Sequence, residues 1–84
     1  MIAFTLYSRS YCHLCDDMLT QLNSYSQQYS FTVDVLDVDA DEELLSLYDE
    51  LVPVLIGRHP GGDAQRICHY HLDEAALRQF FAKV

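Results

Sequence analysis

Cysteine thiolates are the strongest nucleophiles a protein offers near neutral pH, and Cys12-His13-Leu14-Cys15 places two of them at an i, i+3 spacing. The stretch follows an apolar run, Ile2 to Tyr7, and opens an apolar-periodic one through Leu14, Met18, Leu19 and Leu22. It therefore falls at a strand-to-helix junction. In the first turn of a helix that spacing brings the two sulfurs within disulfide reach. Cys12 also lies among the free N–H groups at the positive end of the helix, which stabilise a thiolate and lower its pKa. A nucleophile with a second thiol beside it is the minimum apparatus for thiol–disulfide exchange. On this reading Cys12 attacks and Cys15, a turn further in, resolves the mixed disulfide. A protonated His13 would favour the Cys12 thiolate further; the alternative is a histidine that only faces solvent.

The composition is consistent with such an enzyme and excludes other classes. Residues 1–84 make one small domain, half of them hydrophobic, so a core is available without a disulfide scaffold. Three cysteines are an odd count and too few for such a scaffold. Thirteen acidic against five basic residues give a net charge of −8, with no basic patch, which argues against nucleic acid as a partner. The acids concentrate between Asp34 and Glu50, and we read them as a solvated face. The N-terminal run lacks the basic flank and cleavage site of a signal peptide, and no apolar run approaches the roughly 20 residues that span a bilayer. A cytoplasmic, monomeric protein with no membrane association is the expectation, and in that setting a Cys-x-x-Cys is redox-active or metal-binding.

The elements that must position the pair follow from periodicity. Ala3 to Tyr7 reads as a strand with Phe4 and Leu6 on one face and Thr5 and Tyr7 on the other. Ser8 to Tyr11 is a loop, and a helix runs from Cys12 to about Gln28. Phe31 to Asp39 is a second strand, its mixed faces suggesting cover on both sides. Asp39 or Asp41 caps a helix from Glu42 to about Asp49, with Leu44, Leu45, Leu47 and Tyr48 as its buried stripe. Val52 to Gly57 is a third strand, Pro60-Gly61-Gly62-Asp63 a turn, Arg66 to Tyr70 a fourth strand, and Asp73 caps a last helix reaching Lys83. The order β-α-β-α-β-β-α describes an α/β fold: a mixed four-stranded sheet flanked by three helices, opened by a right-handed βαβ unit.

With its Tyr-Ser-Arg loop, its Cys-His-Leu-Cys and its Val52-Pro53-Val54-Leu55, the chain resembles the small glutaredoxins of the thioredoxin fold, over nearly its whole length. It looks most like a glutaredoxin-like branch of small proteins. The resemblance implies a dithiol–disulfide oxidoreductase with Cys12 and Cys15 as catalytic residues. It implies substrate contacts from Arg9, Tyr11, His13, Val52 and Pro53. Arg9 stands where glutaredoxins usually carry a lysine, and would offer a charge-assisted fork to a carboxylate such as the glycyl end of glutathione. A cis Val52–Pro53 bond is implied in the same way, turning the Val52 N–H and C=O toward the cysteines to pair with an extended substrate. Expected partners are a disulfide-bearing protein or a low-molecular-weight thiol, glutathione among them, and a reductase. No resident cofactor is expected. Two departures bear on glutathione: His13-Leu14 replaces the usual Pro-Tyr, and Tyr70-His71-Leu72-Asp73 stands where the family places a glycine pair.

Other readings use the same residues. Cys12 and Cys15 with Cys68, His69 or His71 have the ligand types of a zinc site, although neighbours on a strand point to opposite faces. An iron–sulfur cluster shared between two chains through Cys12 and glutathione is a related reading. A third is a binding module that kept the fold without the chemistry. Cys68 itself reads as a small half-buried strand residue, and His59, His69 and His71 as solvent-facing.

Overall fold

Alternation dictates the first element. Ile2, Phe4 and Leu6 are buried on one face of β1 (Ile2–Ser8), and Thr5 and Tyr7 take the other. The computed structural model describes residues 1–83. Beyond β1 these form α1 (His13–Asn23), β2 (Phe31–Asp37), α2 (Glu42–Tyr48), β3 (Val54–Arg58), β4 (Gln65–His69) and α3 (Glu74–Ala82). The strands lie in the order β2-β1-β3-β4. β1 runs parallel to β2 and antiparallel to β3, and β3 runs antiparallel to β4. This is the expected mixed sheet with three helices.

The two faces are unequally covered. Met18 and Leu22 of α1 and Leu77, Phe80 and Phe81 of α3 bury Ile2, Phe4, Leu6 and Leu55 in one apolar cluster. Phe4 is its hub, with ring centroids 5.3 Å from Phe31, 5.6 Å from Phe80 and 5.7 Å from Phe81, in edge or tilted geometry. The opposite face carries α2, where Tyr48 stacks on Tyr7 at 4.5 Å. Here the expected cover fails. Leu44, Leu45 and Tyr48 are only half-buried and Leu47 is 63% exposed. β2 is an edge strand with Val35 and Leu36 exposed, not one covered on both sides. On the face that Leu36 shares with Tyr7 the reason is length: seven helical residues rise roughly 10 Å, while seven strand residues span roughly 23 Å.

Element ends are set by side chains. Asp41 caps α2 by accepting from the Glu43 N–H at 2.8 Å, and Asp73 caps α3 by accepting from the Ala76 N–H at 3.0 Å. α1 stops at Asn23, short of the expected Gln28, by tightening into a 3-10 turn over Ser24–Gln27. β2 likewise ends at Asp37, whose carboxylate accepts from the Asp39 N–H and opens a 3-10 turn, Val38–Ala40. On β4 the register slips by one, Leu55 facing Cys68 and Ile56 facing Arg66. The bulge at Ile67 lets both Ile67 and Cys68 pack against the core.

Gly57 shows how tight the centre is. A Cβ there would lie 2.8 Å from Phe80 Cζ and 3.0 Å from Phe4 Cε1, both on buried rings that cannot swing away. Gly57→Ala is expected to cost about 1–3 kcal/mol by overpacking. The urea midpoint should fall at unchanged m-value.

Candidate functional site

The sheet register gathers three segments distant in sequence. Tyr7 pairs with Val54, and Val54 with His69, so the ends of β1 and β4 and the start of β3 share one edge of the molecule. The loop Arg9–Cys12, the Val52–Pro53 pair and the turn Tyr70–Leu72 extend from that edge. Ser8 pairs with Asp37 on the other side, bringing the Val38–Ala40 turn alongside.

Cys12 is the N-cap of α1. Its extended backbone turns the chain into the helix, and its Sγ accepts a hydrogen bond from the Cys15 N–H at 3.1 Å. A sulfur thus occupies the place where serine or aspartate usually satisfies an orphan helix donor. Cys12 and Cys15 are joined as a disulfide, with Cα atoms 5.2 Å apart. Cys12 is half-buried and Cys15 fully buried, so only the first presents itself to solvent. His13 is exposed. Tyr11 stands wholly in solvent on a left-handed backbone, φ 58°, directly before Cys12.

Arg9 differs most from its expected role. Its Nε and Nη2 grip Asp39 at 3.2 and 2.9 Å, and its Nη1 reaches Asp49 at 2.7 Å. Hydrogen bonding to Asp39, then that residue's charge, raises the guanidinium above its already high ordinary pKa. The fork expected to meet a ligand carboxylate is closed on two carboxylates of the chain itself. It ties the cysteine loop to the turn after β2 and to the residue following α2.

The Val52–Pro53 bond is cis. The Val52 N–H, expected to pair with substrate, instead donates to the Tyr48 carbonyl at 3.2 Å, a bond that ends α2. The Pro53 carbonyl accepts from the Tyr70 N–H at 2.9 Å, and the Tyr70 hydroxyl donates to the Glu50 carbonyl at 2.6 Å. Tyr70 holds φ at 64°, a region where glycine is the easy choice, so its two hydrogen bonds retain a conformation its side chain disfavours. Tyr70, Asp39 and Asp49 are site residues the sequence reading did not single out. For Tyr70 the available signal was its position at the head of the four residues replacing the glycine pair. Asp39 was read only as an alternative to Asp41 as the cap of α2, which Asp41 provides, and nothing distinguished Asp49 from its acidic neighbours.

A family profile described as Glutaredoxin-like domain (DUF836) matches residues 3–82. The chain belongs to this family. It is similar to protein Ne2328 of Nitrosomonas europaea, solved in solution, at 30% identity and a TM-score of 0.82 over 94% of this chain and 89% of that one. It is also similar to protein XcR50 of X. campestris, at 31% identity and a TM-score of 0.62 over 96% and 97%. Oxidised mitochondrial thioredoxin 3 of Saccharomyces cerevisiae shares the fold, at 16% identity and a TM-score of 0.71 over 99% of this chain and 78% of that one. No curated protein matches the chain in sequence.

Within this glutaredoxin-like chain the third cysteine stands apart. Burial pushes the Cys68 thiol up, partly opposed by a hydrogen bond from the Asp73 backbone. Among the described residues, no three His, Cys, Asp or Glu side chains gather as a metal would require. No helix among them is long and apolar enough to cross a membrane.

A raised pKa leaves little Cys68 thiolate near neutrality, so its alkylation should be slow. In reduced, folded protein, iodoacetamide is expected to label Cys12 first and Cys68 only on unfolding. Peptide mapping of a time course checks the order.

Proposed function

We propose that this protein is a dithiol–disulfide oxidoreductase that acts on protein disulfides in a reducing compartment such as the cytoplasm, as a monomer. The observation that carries this reading is the Cys12–Cys15 pair itself. It is joined across the first turn of α1, with the Cys12 sulfur held by a backbone N–H. A donor aimed at sulfur stabilises the thiolate more than the thiol, as does the positive end of the helix. Cys12 is the accessible member of the pair and Cys15 the shielded one, which matches attack and resolution.

The reaction proceeds by two displacements. The Cys12 thiolate attacks one sulfur of a substrate disulfide, forming a mixed disulfide and releasing a substrate thiolate, which takes up a proton. Cys15, deprotonated, then attacks the Cys12 sulfur and expels the second substrate thiolate, which is also protonated. Two electrons and two protons pass from the dithiol to the substrate, leaving the Cys12–Cys15 disulfide. A small thiol such as glutathione, or a reductase, returns it to the dithiol. Tyr11, exposed beside Cys12, and the half-buried Val52 give the substrate backbone a surface to lie on, with the cis Pro53 buried beneath it.

Glutathione mixed disulfides fit this site less well than protein disulfides. The Arg9 fork is closed by Asp39 and Asp49, and Tyr70, His71 and Leu72 replace permissive residues where an anionic ligand would need backbone N–H groups.

Cys12→Ser should abolish insulin reduction while keeping the fold, because serine is a good N-cap. Cys15→Ser should accumulate a mixed disulfide at Cys12, visible by mass spectrometry. On Cys15→Ser protein, the rate of alkylation at Cys12 against pH should inflect below the free-thiol value of about 8.5. Insulin reduction that survives in Cys12→Ser would overturn the reading.

A further inference from the structure

Beside the cysteine pair, α1 and the turn after β4 enclose a groove of about 180 Å³. Leu14 and Met18 line one side and Tyr70 and Leu72 the other, while Asp17, Gln21 and His71 supply its polar atoms. Leu14 lies between the two cysteines, so the groove begins at the Cys-x-x-Cys turn itself. Asp17 is its one carboxylate, and neither lysine nor arginine lines it.

The formal charge on the groove's own lining is negative. Asp16 precedes Asp17 in the first turn of α1. Arg9, in the loop leading to Cys12, is paired with two carboxylates, so that cluster is net negative. The whole chain carries −8. Lysine and arginine side chains join a methylene stem that packs on apolar surface to a cationic head. A groove with apolar walls and a carboxylate, in a negative field, matches that shape and charge.

We infer that the groove selects disulfide substrates carrying a lysine or arginine beside the reacting cysteine. The stem lies along Leu14, Tyr70 and Leu72, and the head meets Asp17. This assignment rests on the dithiol reading above and adds to it the class of substrate. Acidic disulfides, oxidised glutathione included, are disfavoured by the same field. Electrons and protons move as before: the reduced Cys12–Cys15 pair supplies both electrons in a single turnover, and the groove only chooses which disulfide is attacked.

The test offers pre-reduced protein three probes: uncharged bis(2-hydroxyethyl) disulfide and two peptide disulfides identical except for lysine or glutamate beside the cysteine. Formation of the Cys12–Cys15 disulfide is followed by acid quench and mass spectrometry. The lysine peptide is expected to react on the order of tenfold faster than the glutamate peptide at low ionic strength. That ratio should shrink as salt screens the field. Asp17→Asn is expected to lower the ratio several-fold, whereas Asp63→Asn, the same loss of charge in the exposed β3–β4 loop, leaves it unchanged. Equal rates for the two peptides, or equal responses in the two variants, would overturn the groove assignment while the uncharged probe still reacts. No reaction with the uncharged probe would instead overturn the dithiol reading, and this inference with it.

Discussion

β1 is paired on both edges, parallel to β2 and antiparallel to β3, and the site depends on that double pairing. The antiparallel partner delivers Pro53 beside the end of β1, because Val54 must sit opposite Tyr7 for the ladder bonds to form. The parallel partner delivers Asp37 and the turn after it, because Ser8 sits opposite Asp37. Register here is strongly specified. A slip by one residue would turn Phe4 and Leu6 out of the core and Thr5 and Tyr7 into it. Gly57 is where β3 passes under the Phe4 and Phe80 rings, so the same pairing that builds the site also sets the close packing there.

The site end of the sheet is knit together by polar contacts in place of a deep core. Arg9 joins the cysteine loop to Asp39 and Asp49, Tyr70 joins the turn after β4 to Pro53 and Glu50, and Tyr7 stacks on Tyr48. Each is a modest interaction near solvent. Together they link every segment that borders the cysteines. They also engage the Arg9 guanidinium and the Val52 and Tyr70 N–H groups within the chain itself.

The thin second layer has a consequence of its own. With α2 only seven residues long, Leu36 and Leu47 stay in contact with water. The acidic residues that alternate with them, from Asp34 to Glu50, keep this face soluble and the edge strand β2 from pairing with another sheet.

Much of this was legible in the sequence. The element order, the faces of β1, the caps at Asp41 and Asp73 and the pairing of Cys12 with Cys15 are local matters. Periodicity and side-chain reach over a few residues decide them. What the chain order did not disclose were contacts between residues thirty or forty positions apart. Arg9 looked free because nothing near it in sequence is acidic; only the β1–β2 register and the end of α2 bring Asp39 and Asp49 to it. The Val52 N–H looked available until α2 ended on it, and the bulge that packs Ile67 inward beside the half-buried Cys68 is set by the β3–β4 pairing. The cysteine pair and its helix follow from the residues themselves, because a turn of helix is a short-range object. The charge, the groove and the partners around that pair belong to the tertiary structure, because electrostatics and packing act through space without regard to chain order.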